Sequence, residues 1–396
     1  MIVKKHLFLL LLLCQATVLL AQKATRLHFK SLLVDTHNDI PTTAIDGGMS
    51  FDQPLHPRTH SDLQRMFAGG VDAQFFSIWC DGFMKNPFAW ANREIDTVKA
   101  WAQRNPGKMM MALSVNDIRK AAREHKLAAL LGVEGGHMIE NDMQNLISLY
   151  ESGARYMTLT WNNSTPWATS AADETTPRGA LNSEGKKGLT AFGKQIVQKM
   201  NELGMLVDLS HVGEQTFWDV MQATTKPVLV SHSCVYTLCP HRRNLKDEQI
   251  KAVAKNGGVI QLNFYSGFLD PQFEARSDAF MARHKTEADS MLKINPEPYF
   301  TQVYLFTKYP DEVKDLRPPL SLLLDHLDYI VKLAGVDYVG LGSDFDGVNS
   351  LPYGLDGVQD FPKITEELLK RGYSKKDIRK ILGENFMRVF AASQNK

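Results

Sequence analysis

Short apolar runs, rich in β-branched and aromatic residues, alternate along this chain with segments whose apolar positions recur every three to four residues. Eight runs are candidate strands, at residues 32–35, 73–79, 127–133, 156–161, 205–209, 227–230, 258–264 and 338–341. Helical spacing is clearest at residues 189–203, 214–223, 247–255 and 321–333. Strands that are apolar on both faces and alternate with amphipathic helices indicate a parallel sheet covered by helices.

Eight strand-and-helix units predict that this sheet closes into a (β/α)8 TIM barrel of the α/β class, with an open doubly wound sheet as the alternative. The longest departure from the alternation is residues 265–319, between the seventh and eighth strands. We expect an insertion over the barrel mouth, because long excursions in compact domains are commonly lids or binding loops. Residues 374–392 combine a capping-box spacing of Ser374 and Asp377 with an apolar stripe, which predicts a closing helix.

The first 21 residues have the pattern of a secretory signal peptide. Lys4 and Lys5 precede about 14 mostly apolar residues, a run too short to span a membrane, and Ala21 is the expected cleavage point. Residues 22–396 are predicted to form a single domain, because no repeat, low-complexity tract or long charge run interrupts them. We therefore expect a secreted or periplasmic protein without a membrane anchor once the signal is removed.

The composition describes a well-cored globular protein, with 44% hydrophobic residues. Because 45 Lys and Arg balance 44 Asp and Glu, for a formal net charge of +1, nothing indicates the cationic surface that binds nucleic acid. Cys80, Cys234 and Cys239 follow the signal segment and allow at most one intrachain disulfide. Spacing does not show that Cys234 and Cys239 face each other, and we favour buried free thiols.

Ionisable side chains recur just after the predicted strands. They are His37 and Asp39 after the first strand, Glu134 after the third, His211 after the fifth, His232 after the sixth and Asp344 after the eighth. Each alone fits a simpler role, as a turn cap, a loop carboxylate or a core histidine. In a barrel, however, the carboxyl ends of all strands meet at one mouth. Three imidazoles and two carboxylates exceed the ligands of one tetrahedral zinc, which indicates a two-metal centre with a shared carboxylate.

Six short motifs carry these candidates. They are LVDTHND at residues 33–39, GVEGGH at 132–137, DLSH at 208–211, SHS at 231–233, RRN at 242–244 and GSDFDG at 342–347. Together, and in this order, they resemble the membrane (renal) dipeptidase family of zinc metallopeptidases, over about residues 30–392.

The resemblance implies a barrel with two zinc ions per chain that hydrolyses dipeptides through a water bridging the two metals. It places His37 and Asp39 on one zinc, His211 and His232 on the other, and Glu134 between them. Homologous barrels often dimerise, so a homodimer is a further expectation by analogy.

The resemblance also implies roles in substrate binding. Asp344 matches the acid that contacts the substrate and moves protons, and Arg243 matches the arginine that binds the substrate carboxylate, whose shape suits a guanidinium fork. One position departs from the family, because the histidine often found after the fourth strand is replaced by Trp161 and Asn162. Trp161 would form an apolar wall and Asn162 would donate a hydrogen bond, but neither offers an imidazolium to a developing negative charge.

Two other function classes stay open at the level of sequence. Another barrel amidohydrolase, such as a lactonase, phosphotriesterase or deaminase, would use the same metal-activated water. Those enzymes usually begin with His-x-His and often bridge their metals through a modified lysine, whereas this chain has His37-Asn38-Asp39 and Glu134. A secreted barrel that has lost catalysis is the third hypothesis, prompted by the missing histidine.

Overall fold

The computed structural model describes residues 22–176, 181–294 and 298–394, so the predicted signal peptide lies outside the described residues. The strands β1 to β9 are, in chain order, Val34–Asp35, Ala73–Ile78, Met109–Met111, Leu127–Glu134, Ala154–Thr158, Leu206–Asp208, Leu229–Ser233, Val259–Leu262 and Val339–Leu341. Among the described residues, no helix combines the length and the apolar character needed to cross a membrane.

Eight of these strands close into a parallel barrel. The hydrogen-bonded order is β2, β1, β9, β8, β7, β6, β5 and β4, and β4 pairs with β2 to complete the ring. β3 lies outside the ring, where it pairs with residues 127–129 of β4 while β5 pairs with residues 131–134. The predicted (β/α)8 barrel is therefore confirmed. β3 was not predicted, because three residues are too few to give a periodic signal.

Helices cover the outside of the barrel. The α-helices are residues 22–28, Ile40–Asp46, Leu63–Ala68, Pro87–Arg104, Val115–Arg123, Met143–Glu151, Ala171–Glu174, Ala191–Leu203, Glu214–Ala223, Asp247–Asn256, Leu320–Ala334, Phe361–Lys370, Lys375–Arg379 and Asn385–Ser393. Short 3-10 helices lie at Gly136–Ile139, Val336–Tyr338 and Val358–Asp360. The four helices with the clearest predicted spacing are each present within two residues of the predicted bounds.

The insertion predicted between the seventh and eighth barrel strands is present between β8 and β9, and it is helical. Its helices are Ser266–Leu269, Phe273–Arg283, Lys285–Ile294, Pro298–Lys308 and Pro310–Lys314. They share a small core of their own that includes Phe273, Phe280 and Leu305. Ser266 Oγ lies 2.8 Å from Ser350 Oγ, so the insertion packs against the loop that follows β9 at the carboxyl end of the barrel.

The C-terminal segment closes the opposite end of the barrel, as predicted. Ser374 caps it by accepting a hydrogen bond from the Asp377 amide at 3.1 Å, and a π-helical turn, Lys380–Glu384, precedes the last helix. Phe386 and Phe390 of that helix pack edge-on against Phe75 of β2, at centroid distances of 5.3 and 6.3 Å. Aromatic side chains therefore fill the amino-terminal half of the barrel.

Three predicted strand ends were wrong beside candidate site residues. β5 ends at Thr158 rather than at Trp161, which leaves Trp161 and Asn162 in the following loop. β7 extends to Ser233, so His232 lies inside a strand rather than after it, and Glu134 is the last residue of β4. Apolar content marks burial rather than backbone pairing, so an apolar run can outlast its strand, as in β5, or stop short of it, as in β4 and β7.

Candidate metal centre

Three histidines meet at the carboxylate of Glu134, and all four side chains are buried. Glu134 Oε2 lies 3.2 Å from His37 Nε2. Glu134 Oε1 lies 2.9 Å from His211 Nε2 and 3.5 Å from His232 Nε2. The two oxygens of one carboxylate therefore divide the imidazoles into His37 on one side and His211 with His232 on the other.

A second group of potential ligands adjoins the His37 side. His37, Asp39 and Asp344 bring one ligand atom each within 4.8 Å of one another, and Asp39 Oδ2 lies 3.4 Å from His37 Nε2. A Cβ at Gly347 would lie 2.2 Å from Asp39 Oδ2 and 2.5 Å from Asp344 Oδ1, so a glycine is needed for the two carboxylates to converge. Asp39 Oδ2 is buried and accepts no hydrogen bond from the residues that the structure describes.

Hydrogen bonds fix which nitrogen of His37 and His232 carries the proton. His37 Nδ1 lies 2.8 Å from the hydroxyl of Tyr156, which donates its own proton to the Thr36 carbonyl at 3.1 Å. His232 Nδ1 lies 2.8 Å from Ser231 Oγ, which donates to Asp208 at 2.6 Å. Because each hydroxyl has a single proton and uses it elsewhere, each Nδ1 must be the donor.

His211 also carries its proton on Nδ1. Its Nδ1 lies 3.2 Å from Asn162 Oδ1, and a carbonyl oxygen only accepts. His211 and His232 therefore direct bare Nε2 lone pairs at Glu134, with these two Nε2 atoms 3.0 Å apart, and His37 directs its Nε2 at Glu134 and Asp39. Lone pairs this close repel unless a cation lies between them, so the donor set fits metal ions bound by imidazole nitrogen and carboxylate oxygen.

The shifted pKa values agree with this arrangement. Burial lowers the pKa of His211 to about 3 and that of His232 well below its usual value, so both rings are neutral. Burial opposes charge on His37 as well, but Tyr156 and the two carboxylates beside the ring favour it and raise its pKa well above normal. Burial, reinforced by Asp39, raises the pKa of Asp344 to about 8. The centre favours positive charge at His37 and crowds its carboxylates, which is the condition that a divalent cation relieves.

Local backbone structure aims these groups at the centre. His211 and Asp344 both have φ = 63°, a left-handed conformation that costs about 1–3 kcal/mol for a residue other than glycine. Asp208 supports the first of them by accepting hydrogen bonds from the amides of Ser210 and Ser231, at 3.2 and 2.8 Å. These contacts join β6 to β7 beside His211.

Arg243 is a buried guanidinium beside the same centre. It donates to the His232 carbonyl at 3.2 Å and to Ser233 Oγ at 3.3 Å. Within residues 22–176, 181–294 and 298–394, no carboxylate forms an ion pair with it, and its Nε has no acceptor. Burial lowers its pKa to about 10, which still leaves it charged at neutral pH. An unpaired buried cation at the mouth is suited to bind an external anion.

Sequence reasoning missed four side chains that support the centre: Tyr156, Ser77, Ser231 and Asn263. Ser77 Oγ donates to Glu134 Oε2 at 3.0 Å, and Asn263 Nδ2 donates to Asp344 Oδ2 at 2.7 Å. Within or directly after a strand, these residue types give no signal of their own. The alternation of inward and outward side chains along a strand could have found Ser77, because it lies two positions after Phe75 on the inward face of β2.

Trp161 and Asn162 stand where the resembled family often has a histidine. They lie on the side of the centre formed by β4 and β5. The amide oxygen of Asn162 contacts His211 rather than standing free for substrate. The ring of Trp161, a partly exposed residue, lies 6.3 Å from the His211 ring, between centroids.

Cys80, Cys234 and Cys239 are buried free thiols, as predicted.

Fold and site together define a (β/α)8 barrel enzyme with a buried cluster of imidazoles and carboxylates that is suited to metal ions. The family model described as membrane dipeptidase, peptidase family M19, matches residues 21–396. The chain belongs to this family, and it is a metallopeptidase that hydrolyses peptide bonds.

Solved structures of similar fold support the architecture. The probable dipeptidase PvdM from Pseudomonas aeruginosa is 25% identical with a TM-score of 0.77, covering 95% of this chain and 98% of its own. A metallopeptidase from Rhodobacter sphaeroides, liganded with a phosphinate mimic of the dipeptide L-Ala-D-Ala, is 21% identical with a TM-score of 0.75. That match covers 92% of this chain and all of the Rhodobacter sphaeroides chain.

Proposed function

We propose that this protein is a zinc-dependent dipeptidase that binds two zinc ions per chain. The observation that carries the proposal is the division of the three histidine Nε2 atoms by the two oxygens of Glu134. His37 and Asp39 would hold one ion, His211 and His232 the other, and Glu134 would bridge them. Nitrogen and carboxylate ligands in a buried site suit zinc.

When bound, the two ions would activate a bridging water and polarise the scissile carbonyl, so that no protein nucleophile is needed. Asp344 is the group of this chain that would accept the proton and return it to the departing amine. Its Oδ2 is held by Asn263, and its Oδ1 points towards Gly347 and Asp39. The side chain is thus fixed with one oxygen directed at the centre.

Arg243 would bind the terminal carboxylate of the substrate with the donors that the protein leaves unpaired. A longer peptide would have an amide at that position and would leave the buried guanidinium without an anion, which favours dipeptides. The dipeptide mimic bound to the Rhodobacter sphaeroides relative supports this substrate class. Asn162 would contribute mainly by orienting His211, and Trp161 by forming an apolar wall.

We also propose that the protein is exported, with residues 1–21 removed and residues 22–396 folding as one domain. N-terminal sequencing of the protein recovered from the cell exterior or periplasm tests the cleavage after Ala21. The homodimer expected by analogy stays a prediction, which light scattering of the purified protein tests.

The experiment that tests the proposed activity measures amino acids released from L,L and L,D dipeptides, with a tripeptide control, before and after chelation. We expect cleavage of dipeptides alone, its loss on chelation and its recovery with zinc. Asp344→Asn should retain two zinc ions by metal analysis and lose at least about a hundredfold in kcat, because proton transfer typically contributes that much. Unchanged turnover in this variant would remove the proton-transfer role, and absence of cleavage by zinc-loaded protein would contradict the activity.

A further inference from the structure

Two indole rings form one wall of the barrel mouth beside Glu134. The rings of Trp79 and Trp161 lie 5.0 Å apart between centroids, at an interplanar angle of 63°. A Cβ placed on Gly135, the residue after Glu134, would lie 3.2 Å from Trp161 Cβ. Trp79 follows Ser77, which donates to Glu134, so it continues the inward row of β2 one step towards the mouth.

The position of Trp79 is fixed from behind by Glu94. This fully buried carboxylate accepts the Trp79 amide at 2.7 Å and the Thr42 hydroxyl at 2.5 Å. The Trp79 carbonyl in turn accepts the indole N–H of Trp90 at 3.0 Å. Both backbone groups of Trp79 are therefore held, while the rings of Trp79 and Trp161 keep part of their surface exposed. The two tryptophans are therefore held in position before a substrate binds, and they keep exposed surface that a substrate can contact.

Trp79 stands on the opposite side of the mouth from Arg243, and Trp161 lies between them. Trp79 follows β2 and Arg243 follows β7, strands that are four positions apart in either direction around the eight-stranded ring, whereas Trp161 follows β5, two positions from each. If the terminal carboxylate of a dipeptide binds Arg243, the amino-terminal residue extends across the centre towards the two indoles.

We propose that Trp79 and Trp161 form the binding subsite for the side chain of the amino-terminal residue, and that they select dipeptides with a large apolar or aromatic side chain there. This inference rests on the proposed dipeptidase function and adds its substrate class. Indole faces gain by excluding water from apolar groups and by edge-to-face contact with other rings. The ring faces offer no hydrogen-bond donor to a carboxylate side chain, and the indole N–H of Trp79 is buried away from solvent, without an acceptor among the described residues.

The test compares kcat/KM of the zinc-loaded protein for Phe-Gly, Gly-Phe, Gly-Gly and Asp-Gly. We expect Phe-Gly to exceed the other three by at least about tenfold, the discrimination typical of an apolar pocket. The reversed pair Phe-Gly and Gly-Phe carries the same side chain and therefore isolates its position. Trp161→Ala should lower kcat/KM for Phe-Gly at least about tenfold more than for Gly-Gly, mainly through KM.

Trp218→Ala is the matched control, since Trp218 packs on the outer helix Glu214–Ala223 and should leave the substrate ranking unchanged. Trp79→Ala and Trp161→His provide second variants, and both should weaken the preference for Phe-Gly. Metal analysis of each variant checks that two zinc ions remain. Equal rates for Phe-Gly and Gly-Phe, or equal losses on Phe-Gly and Gly-Gly in Trp161→Ala, would overturn the subsite alone. Absence of cleavage of all four peptides would overturn the dipeptidase function and the subsite with it.

Discussion

The hydroxyl of Tyr156 fixes the orientation of His37, a candidate metal ligand. It accepts from His37 Nδ1 and donates to the Thr36 carbonyl, so His37 is held with its Nε2 directed at the carboxylates. The ring itself stacks on Phe75 at 5.2 Å inside the barrel. One side chain therefore serves the apolar core through its ring and the polar centre through its oxygen.

Tyr156→Phe separates these two contributions. The ring packing is kept and the acceptor for His37 Nδ1 is lost, so we expect the fold to persist and zinc affinity to fall by about 10- to 100-fold. Competition with a chromogenic chelator measures the affinity. Tyr329→Phe is the control, because its hydroxyl contacts Asp247 away from the centre. Equal affinities in wild type and Tyr156→Phe would show that the hydroxyl does not set the state of His37.

The candidate metal ligands and Asp344 share one property in the sequence, a charge or an imidazole near the end of a buried apolar run. Burying such a group without a partner is costly, so its position alone indicates a site. Tyr156 and Asn263 give no such signal, because a tyrosine within a strand equally fits an apolar core and an asparagine equally fits a turn. Their roles depend on which strand lies beside them.

At the scale of elements, the inward side chains of β4 belong to the apolar core at one end of the strand and to the candidate site at the other. The inward positions run from Ala128 and Leu130 through Gly132 to Glu134, so alternation leads from apolar packing to the carboxylate between the three histidines of the candidate site. Gly132 is required by the neighbouring strand. A Cβ there would lie 2.0 Å from the ring of Tyr156, which crosses at this level.

Gly132→Ala should therefore disturb both stability and metal binding. The added methyl group displaces a fully buried ring, so we expect a loss of about 3 kcal/mol or more in the free energy of unfolding, together with weaker zinc binding as the Tyr156 hydroxyl leaves His37. Gly107→Ala is the matched control, because nothing lies within 4 Å of the added carbon. Urea unfolding and zinc competition measure the two effects, and wild-type values for Gly132→Ala would contradict the packing described.

β7 shows why strand alternation alone did not place every ligand. Leu229 and Ser231 face inward, so a regular strand would turn His232 outward. The pairing of β7 with β8 shifts register between Val230 and Ser233, and His232 points to the centre. Such an irregularity depends on the partner strand and has no signature in the sequence of β7 itself.

At the scale of the whole molecule, the barrel separates its two ends by chemistry. The carboxyl ends of the strands carry the site, whereas the amino ends are filled by aromatic packing and by a few backbone contacts. Asp72, which precedes β2, is one of these contacts and accepts the Leu33 amide at 2.9 Å. Burial raises the pKa of Asp72 to about 6, so the folded protein favours its protonated form.

This raised pKa makes global stability depend on pH at a position far from the metal centre. Protonation of Asp72 stabilises the fold fully below about pH 4, and that contribution is lost as the pH rises through about 6. Asp72→Asn removes the titration. The variant should therefore match wild type near pH 4 and be more stable by about 2 kcal/mol at pH 8.

Urea unfolding of both proteins at each pH measures this difference, and groups common to both cancel. Asp315→Asn, at an exposed position, serves as the control for the substitution itself. A difference between Asp72→Asn and wild type that stays constant from pH 4 to pH 8 would show that the buried carboxylate is not protonated in the folded state.

The sequence by itself determined the barrel, the insertion, the closing helix and the set of candidate ligands. These follow from periodicity and from ionisable groups at the ends of apolar runs, which are local properties. Only the tertiary structure decided which oxygen of Glu134 faces which histidine, that each Nδ1 donates a hydrogen bond, and that Trp79 stands across the mouth from Arg243. Those facts depend on strand register and ring closure, because they join residues far apart in the chain through contacts that no local pattern encodes.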